Sequence, residues 1–223
     1  MGDWITLDTP HGPVQAWQAV PEGAARGAVI VVQEIFGANA HIREVAERIA
    51  QAGYVALAPA MFDPVEPGVE LGYDRGGTAR GKSLAAQLGF DAAIALIDSA
   101  DRHLRDMGHE VGIVGFCWGG SVAYLANTRL GLPAVSYYGA RTVPFLAEPL
   151  RAPMMFHFGE DDESIPPEDI QQHRVAKPEA DIHVYAGAGH AFNRDVSPRH
   201  FAPGAAALAW TRTLDFLAAN LHG

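Results

Sequence analysis

A thiol, a carboxylate and an imidazole occur in that order along this chain, each just after an apolar run. Together they have the chemistry to transfer an acyl group. The thiol is Cys117, the only cysteine, set in Gly115-Phe116-Cys117-Trp118-Gly119-Gly120. A Gly-x-Cys-x-Gly run after β-branched residues has the form of a nucleophile elbow, with Cys where Ser is usual. A side chain at such a strand-to-helix turn projects into open space, and the glycines make room for the crowded backbone. The helix start that follows offers N–H groups and a dipole that favour a thiolate. The competing reading of Cys117 is a small buried hydrophobe, the ordinary fate of a free cysteine.

An elbow of this kind needs an acid and then a histidine further along. Asp162 lies in Gly159-Glu160-Asp161-Asp162-Glu163-Ser164-Ile165-Pro166, among acids that an ordinary solvated loop would also carry. His190 lies in Ala188-Gly189-His190-Ala191-Phe192. In these roles His190 accepts the thiol proton and Asp162 orients its ring. Glu34 ends an otherwise apolar run, Ala28 to Val32 followed by Gln33, where a carboxylate is costly unless it is functional or paired. Arg194 follows His190 by four residues, close enough to share its pocket. The backbone N–H groups of Ile35 and Trp118 stand where an elbow enzyme builds its oxyanion hole, on an early strand loop and just after the nucleophile.

The elements that must position these groups alternate. Ile5–Leu7 and Val14–Val20 read as an antiparallel hairpin at one edge, with Pro10, Gly12 and Pro13 between them. Strands follow at 28–33, 54–58, 111–115, 134–138, 154–158 and 182–185. The run at 28–33 is apolar up to Gln33, as a strand covered on both faces should be. Helical spacing appears at Ile42, Val45, Ala46 and Ile49, with Gly53 as its cap. Leu84 to Leu104 reads as one long helix, 121–128 continues the elbow helix, and 205–221 is a C-terminal helix. Residues 61–80, broken by Pro64, Pro67 and several glycines, read as an irregular loop on the rim of the site. The pattern predicts a mostly parallel central sheet with helices on both faces, an α/β-hydrolase fold in a single domain over residues 1–223. Right-handed crossovers bring the strand ends that carry Cys117, Asp162 and His190 to one edge.

Composition narrows the function. The 223 residues are 48% hydrophobic and 19% charged, enough for a large core. The formal charge of −10 argues against nucleic acid and anionic membranes as partners. The start, Met1-Gly2-Asp3-Trp4, lacks a basic segment followed by an apolar one, and no run of 18 apolar residues occurs. Together with a lone thiol, this predicts a cytoplasmic protein without a signal peptide. No metal-binding spacing is present, and the expected chemistry requires neither metal nor organic cofactor.

With these motifs quoted, the chain resembles the dienelactone hydrolase family. Gly-Phe-Cys-Trp-Gly-Gly at 115–120 is similar to that family's cysteine elbow, and Gln-Glu-Ile-Phe-Gly at 33–37 to its motif after an early strand. Gly-x-x-Asp-x-x-Ile-Pro at 159–166 and Ala-Gly-His-Ala-Phe at 188–192 are similar to its acid and histidine motifs. The resemblance implies a Cys117-His190-Asp162 triad, with Asp162 rather than Asp161 as the acid. It also implies that Glu34 contacts the cysteine, and that Arg194 helps hold a substrate carboxylate. The family pattern has a second anion-binding arginine, for which Arg75 and Arg80 compete here. The expected activity is opening of a small carboxylate-bearing enol lactone through a cysteinyl acyl-enzyme, a carboxymethylenebutenolidase-type reaction. A general small-ester or thioester hydrolase on the same triad is the alternative, and a thiol redox sensor built on Cys117 is the non-catalytic one. The expected assembly is a monomer, with a homodimer as the alternative.

Overall fold

The computed structural model describes residues 2–222 and contains strands and helices in close alternation. By its contacts the chain divides into two compact units, one running to Ile113 and taking back the end from Leu221, the other from Val114 to Asn220.

The first unit begins with the expected hairpin, β1 (Asp3–Thr9) and β2 (Gly12–Ala19), antiparallel with Trp4 opposite Trp17 and Thr9 opposite Gly12. Strand β3 (Ala28–Val32) is buried at every residue, as is β4 (Val55–Pro59). β4 lies antiparallel to β2 and parallel to β3, giving the order β1-β2-β4-β3 in this unit, and β5 (Val111–Phe116) is the strand within which the chain passes to the second. Helix α1 (Ala40–Gln51) starts where the Asn39 side chain accepts from the Ile42 N–H at 3.3 Å. It buries the stripe Ile42, Val45, Ala46 and Ile49, and Gly53 follows its end at φ +97°.

Two expectations fail in this unit. Residues 61–80 are not loop throughout, because helix α2 (Arg75–Asp106) already begins at Arg75. Its cap is Asp74, whose carboxylate accepts from the Gly77 N–H at 2.7 Å. Gly77, which reads as a chain breaker, serves packing: a Cβ there would lie 1.9 Å from the Gly72 carbonyl oxygen. Nor is the long helix continuous, since Gly89 at φ +71°, ψ +165° breaks it into two stretches. Only glycine takes that conformation at little cost.

In the second unit α3 (Trp118–Leu130) follows the elbow and is buried over most of its length. Strands β6 (Ala134–Tyr137), β7 (Met154–Gly159) and β8 (Asp181–Tyr185) pair in parallel, in the order β5-β6-β7-β8. A short 3-10 helix (Val143–Phe145) and α4 (Pro167–Ala176) connect them, and α5 (Pro203–Asn220) packs against β7. No described helix is long and apolar enough to cross a membrane.

Candidate active site

The backbone at Cys117 is bent as an elbow requires. Its φ is +55° and ψ −118°, a conformation that L-residues adopt only when the surroundings enforce it. The enforcement is visible. The Cys117 N–H donates to the Tyr137 carbonyl at 2.9 Å, and the Cys117 carbonyl accepts from Gly120 N–H at 2.9 Å and Ser121 N–H at 3.3 Å. The tight turn brings Gly115 so close to Gly119 that a Cβ on Gly115 would lie 1.9 Å from the Gly119 carbonyl oxygen. Gly120 meets the end of β6 in the same way, 2.7 Å from the Tyr137 carbonyl oxygen. Cys117 caps α3, so Trp118 begins the run of N–H groups that a helix leaves without intrahelical acceptors.

His190 stands against this thiol. Its Nε2 lies 3.1 Å from Cys117 Sγ, and its Nδ1 lies 2.8 Å from Asp162 Oδ2. The other carboxylate oxygen of Asp162 accepts from the Ser164 N–H at 2.8 Å, which fixes its plane. Asp162 is 3% exposed, whereas Glu160, Asp161 and Glu163 all face solvent. Burial thus separates the acid that meets the imidazole from its neighbours. The two loops can approach because Gly159 ends β7: a Cβ there would lie 2.3 Å from the Ala188 carbonyl oxygen.

The electrostatics of His190 follow from these contacts. Burial alone would disfavour its charged form. Negative charge on the Cys117 sulfur and the bonds to Asp162 and Cys117 outweigh it, raising the pKa to about 10. The imidazolium is therefore the favoured partner of the sulfur in the unliganded protein. A thiol so paired is a nucleophile towards a carbonyl, and the same imidazole can protonate a leaving group or activate water.

Sequence reasoning missed Tyr138. It follows β6 at φ +41°, is fully buried, and presents its ring edge-on to His190 with centroids 5.2 Å apart. The same ring meets Phe192 at 5.4 Å. The signal was the Tyr137-Tyr138-Gly139 run at a strand end, which resembles an ordinary buried strand terminus. Arg194, in this unit too, is 5% exposed, and its N–H donates to the Ala191 carbonyl at 2.9 Å.

The remaining candidates belong to the first unit. Glu34 is 2% exposed at the end of β3. Its loop is tied down on several sides. Gln33 Oε1 accepts from Met61 N–H at 3.1 Å, and the Phe36 carbonyl accepts from Leu71 N–H at 2.9 Å. Gly37 takes φ +86°, and a Cβ there would strike the Val69 carbonyl. Gly81 of α2 presses on the Ile35 carbonyl, which a Cβ would meet at 2.0 Å. Of the two competing arginines, Arg80 pairs with Glu66, and Arg75 is exposed in the first turn of α2. Both therefore sit on a helix rather than in an irregular loop.

The chain is similar over nearly its whole length to known proteins. The family model for the dienelactone hydrolase family matches residues 14–221. The carboxymethylenebutenolidase of Pseudomonas putida is 33% identical over 208 residues, covering 89% of this chain and 88% of its own. A Synechocystis protein provisionally named carboxymethylenebutenolidase is 35% identical, covering 93% and 92%. The crystal structure of a provisional dienelactone hydrolase from Klebsiella pneumoniae superposes with a TM-score of 0.87 at 29% identity, covering 98% of each chain.

Proposed function

Because the chain belongs to the dienelactone hydrolase family and is a carboxylic ester hydrolase of the α/β-hydrolase fold, we propose that it opens a small carboxylate-bearing enol lactone through a Cys117 acyl-enzyme. The observation that carries this reading is the Cys117-His190-Asp162 chain, with links of 3.1 and 2.8 Å.

In the proposed reaction Cys117 Sγ adds to the lactone carbonyl. The oxyanion that forms is held by the Trp118 N–H and, from the early strand loop, the Ile35 N–H. Collapse breaks the acyl C–O bond. The ring oxygen leaves as an enolate, a good leaving group, and takes the proton from His190, which is left neutral. Water then adds to the thioester with His190 as base, the C–S bond breaks, and an open dicarboxylate departs. Asp162 holds the ring and balances its charge without itself exchanging the proton. Arg194 binds the substrate carboxylate. Glu34 is proposed as a second carboxylate acting on the thiol, and Arg75 or Arg80 as a second anion contact.

The test is a panel of dienelactones and simple esters assayed for kcat/KM with and without a substrate carboxylate. A preference for the carboxylate-bearing lactones is expected. Equal turnover of neutral esters would favour a general small-ester hydrolase on the same triad. Inactivity towards every activated ester would leave Cys117 as a redox thiol.

A further inference from the structure

A cavity of about 360 Å³ lies within the first unit, lined by the β1–β2 hairpin, by Ala38 and by the segment 60–70. Small-ligand sites span roughly 300–1,000 Å³. Trp4, Ala38, Ala60 and Val69 make its walls apolar, and Asp63 and Glu70 bring carboxylates to them. Trp4 leaves 43% of its surface open. Its ring is nevertheless held, with Trp17 edge-on at 5.5 Å and the Arg43 guanidinium 5.6 Å from its centroid.

The two acids differ. Glu70 is neutralised, because its Oε1 accepts from Arg43 Nη1 at 2.6 Å. The same nitrogen donates to the Ala38 carbonyl at 2.7 Å, so Arg43 is committed to this wall. Asp63 is 8% exposed. Its Oδ2 accepts from the Gln15 N–H at 2.8 Å and its Oδ1 from the Gly68 N–H at 2.9 Å. These bonds hold the carboxylate in place but bring no compensating charge, and no cation among the described residues pairs with it. Each of its oxygens keeps room for a second donor. A buried carboxylate without a counter-charge is costly, and here the cavity gives one a way in.

We propose that this cavity is a binding site for a small organic ammonium. The ligand's N–H groups donate to Asp63, and its apolar body lies against Trp4 and Val69. No arginine, lysine or histidine lines the cavity, so a carboxylate would meet only like charge there. The site is therefore separate from the one proposed for the anionic lactone, and it does not depend on that reading.

The experiment uses three probes of one shape: 2-phenylethylammonium, neutral 2-phenylethanol and anionic 3-phenylpropionate. Each is titrated into the full chain with nitrogen-15 in its indoles, and Trp4→Phe identifies the Trp4 signal. The ammonium should move that signal with a Kd of about 1 mM, the range of a ligand this small. The indole of Trp118, beside Cys117, should stay where it is. The alcohol and the carboxylate should bind about tenfold more weakly or not at all. Asp63→Asn should weaken the ammonium about tenfold, to the level of the alcohol, and leave the alcohol unchanged. Thermal melting checks that this variant folds, and the three-probe series on the wild type tests the charge preference without any variant. A Trp4 signal unmoved by the ammonium, equal affinity for the three probes, or a folded Asp63→Asn that binds the ammonium as the wild type does overturns the inference.

Discussion

Cys117 and His190 constrain each other through one short contact, and most of the chemistry depends on it. Because sulfur charge and Asp162 together raise the His190 pKa to about 10, its imidazolium should persist through neutral pH. An NMR titration of the ring should therefore show no deprotonation below about pH 9. In Cys117→Ala the same ring should titrate at lower pH, since the charge that leads the upward shift is gone. A wild-type titration near 6.5, the ordinary histidine value, would contradict a ring held protonated through neutral pH. Cys117→Ala should also abolish ester hydrolysis while leaving the fold intact, because only a small side chain is removed. The paired acids offer a sharper test of assignment. Asp162→Asn should lower kcat by roughly a hundred- to ten-thousandfold, as it removes the charge that orients and stabilises the imidazolium. Asp161→Asn, at an exposed side chain, should stay close to wild type. Steady-state rates on one activated ester, with circular dichroism as a folding check, decide both.

At the scale of elements, the glycines around the elbow are the sequence's most direct statement of geometry. Gly115→Ala would place a Cβ 1.9 Å from the Gly119 carbonyl oxygen, a backbone atom that cannot swing aside. We expect the variant to lose activity by more than a hundredfold or to fail to fold, and thermal melting separates the two. Ala at Gly204, where a Cβ meets nothing within 4 Å, is the neutral control. These requirements are local, which is why the elbow, the strand order of acid and histidine, and the hairpin are legible in the chain itself. Other features depend on geometry that residue periodicity does not carry. Asp74 and Gly77 open α2 where Pro and Gly suggest only loop, because the Gly72 carbonyl that demands a glycine is invisible to periodicity. Gly89 looks like any tolerated helical glycine until its φ is seen. Helix α4 escaped notice because it buries only Ile170 and His173, too few to set a period. Tyr138 reads as a strand residue, and its contact with His190 arises only when two loops converge.

For the molecule as a whole, the acid limb of stability should depend on histidines that the reaction does not use. His157 is fully buried in β7, with Nδ1 2.8 Å from the Tyr185 hydroxyl and Nε2 3.1 Å from the Thr213 hydroxyl. Arg212 donates to the Tyr185 oxygen at 3.2 Å, which directs the tyrosine O–H towards Nδ1. Nδ1 is then an acceptor, and a proton placed on it would set two donors against each other. Burial, helped by His183 and Arg212, accordingly pushes the His157 pKa well below 6.5. His173, bonded to Thr142 at 2.6 Å and to the Asp169 carbonyl at 2.7 Å, is lowered too, chiefly by burial. For both rings the unfolded chain binds the proton more readily than the folded one. Their contribution is therefore complete above about pH 6.5 and is lost as pH falls below it. His190 has the opposite sign: its raised pKa stabilises the fold below about 6.5, and that contribution is lost as pH rises towards 10. Urea unfolding should thus give a maximum near neutrality with a decline on either side. On the acid limb each depressed histidine adds up to about 1.4 kcal/mol per pH unit. His157→Leu should be less stable at pH 7, having lost two buried hydrogen bonds, yet its stability should fall less steeply between about pH 6.5 and 5, a window above the main carboxylate titrations. An acid limb of unchanged slope in His157→Leu would mean that His157 is protonated in the folded protein without penalty, and that the Tyr185–His157–Thr213 chain does not hold the ring neutral.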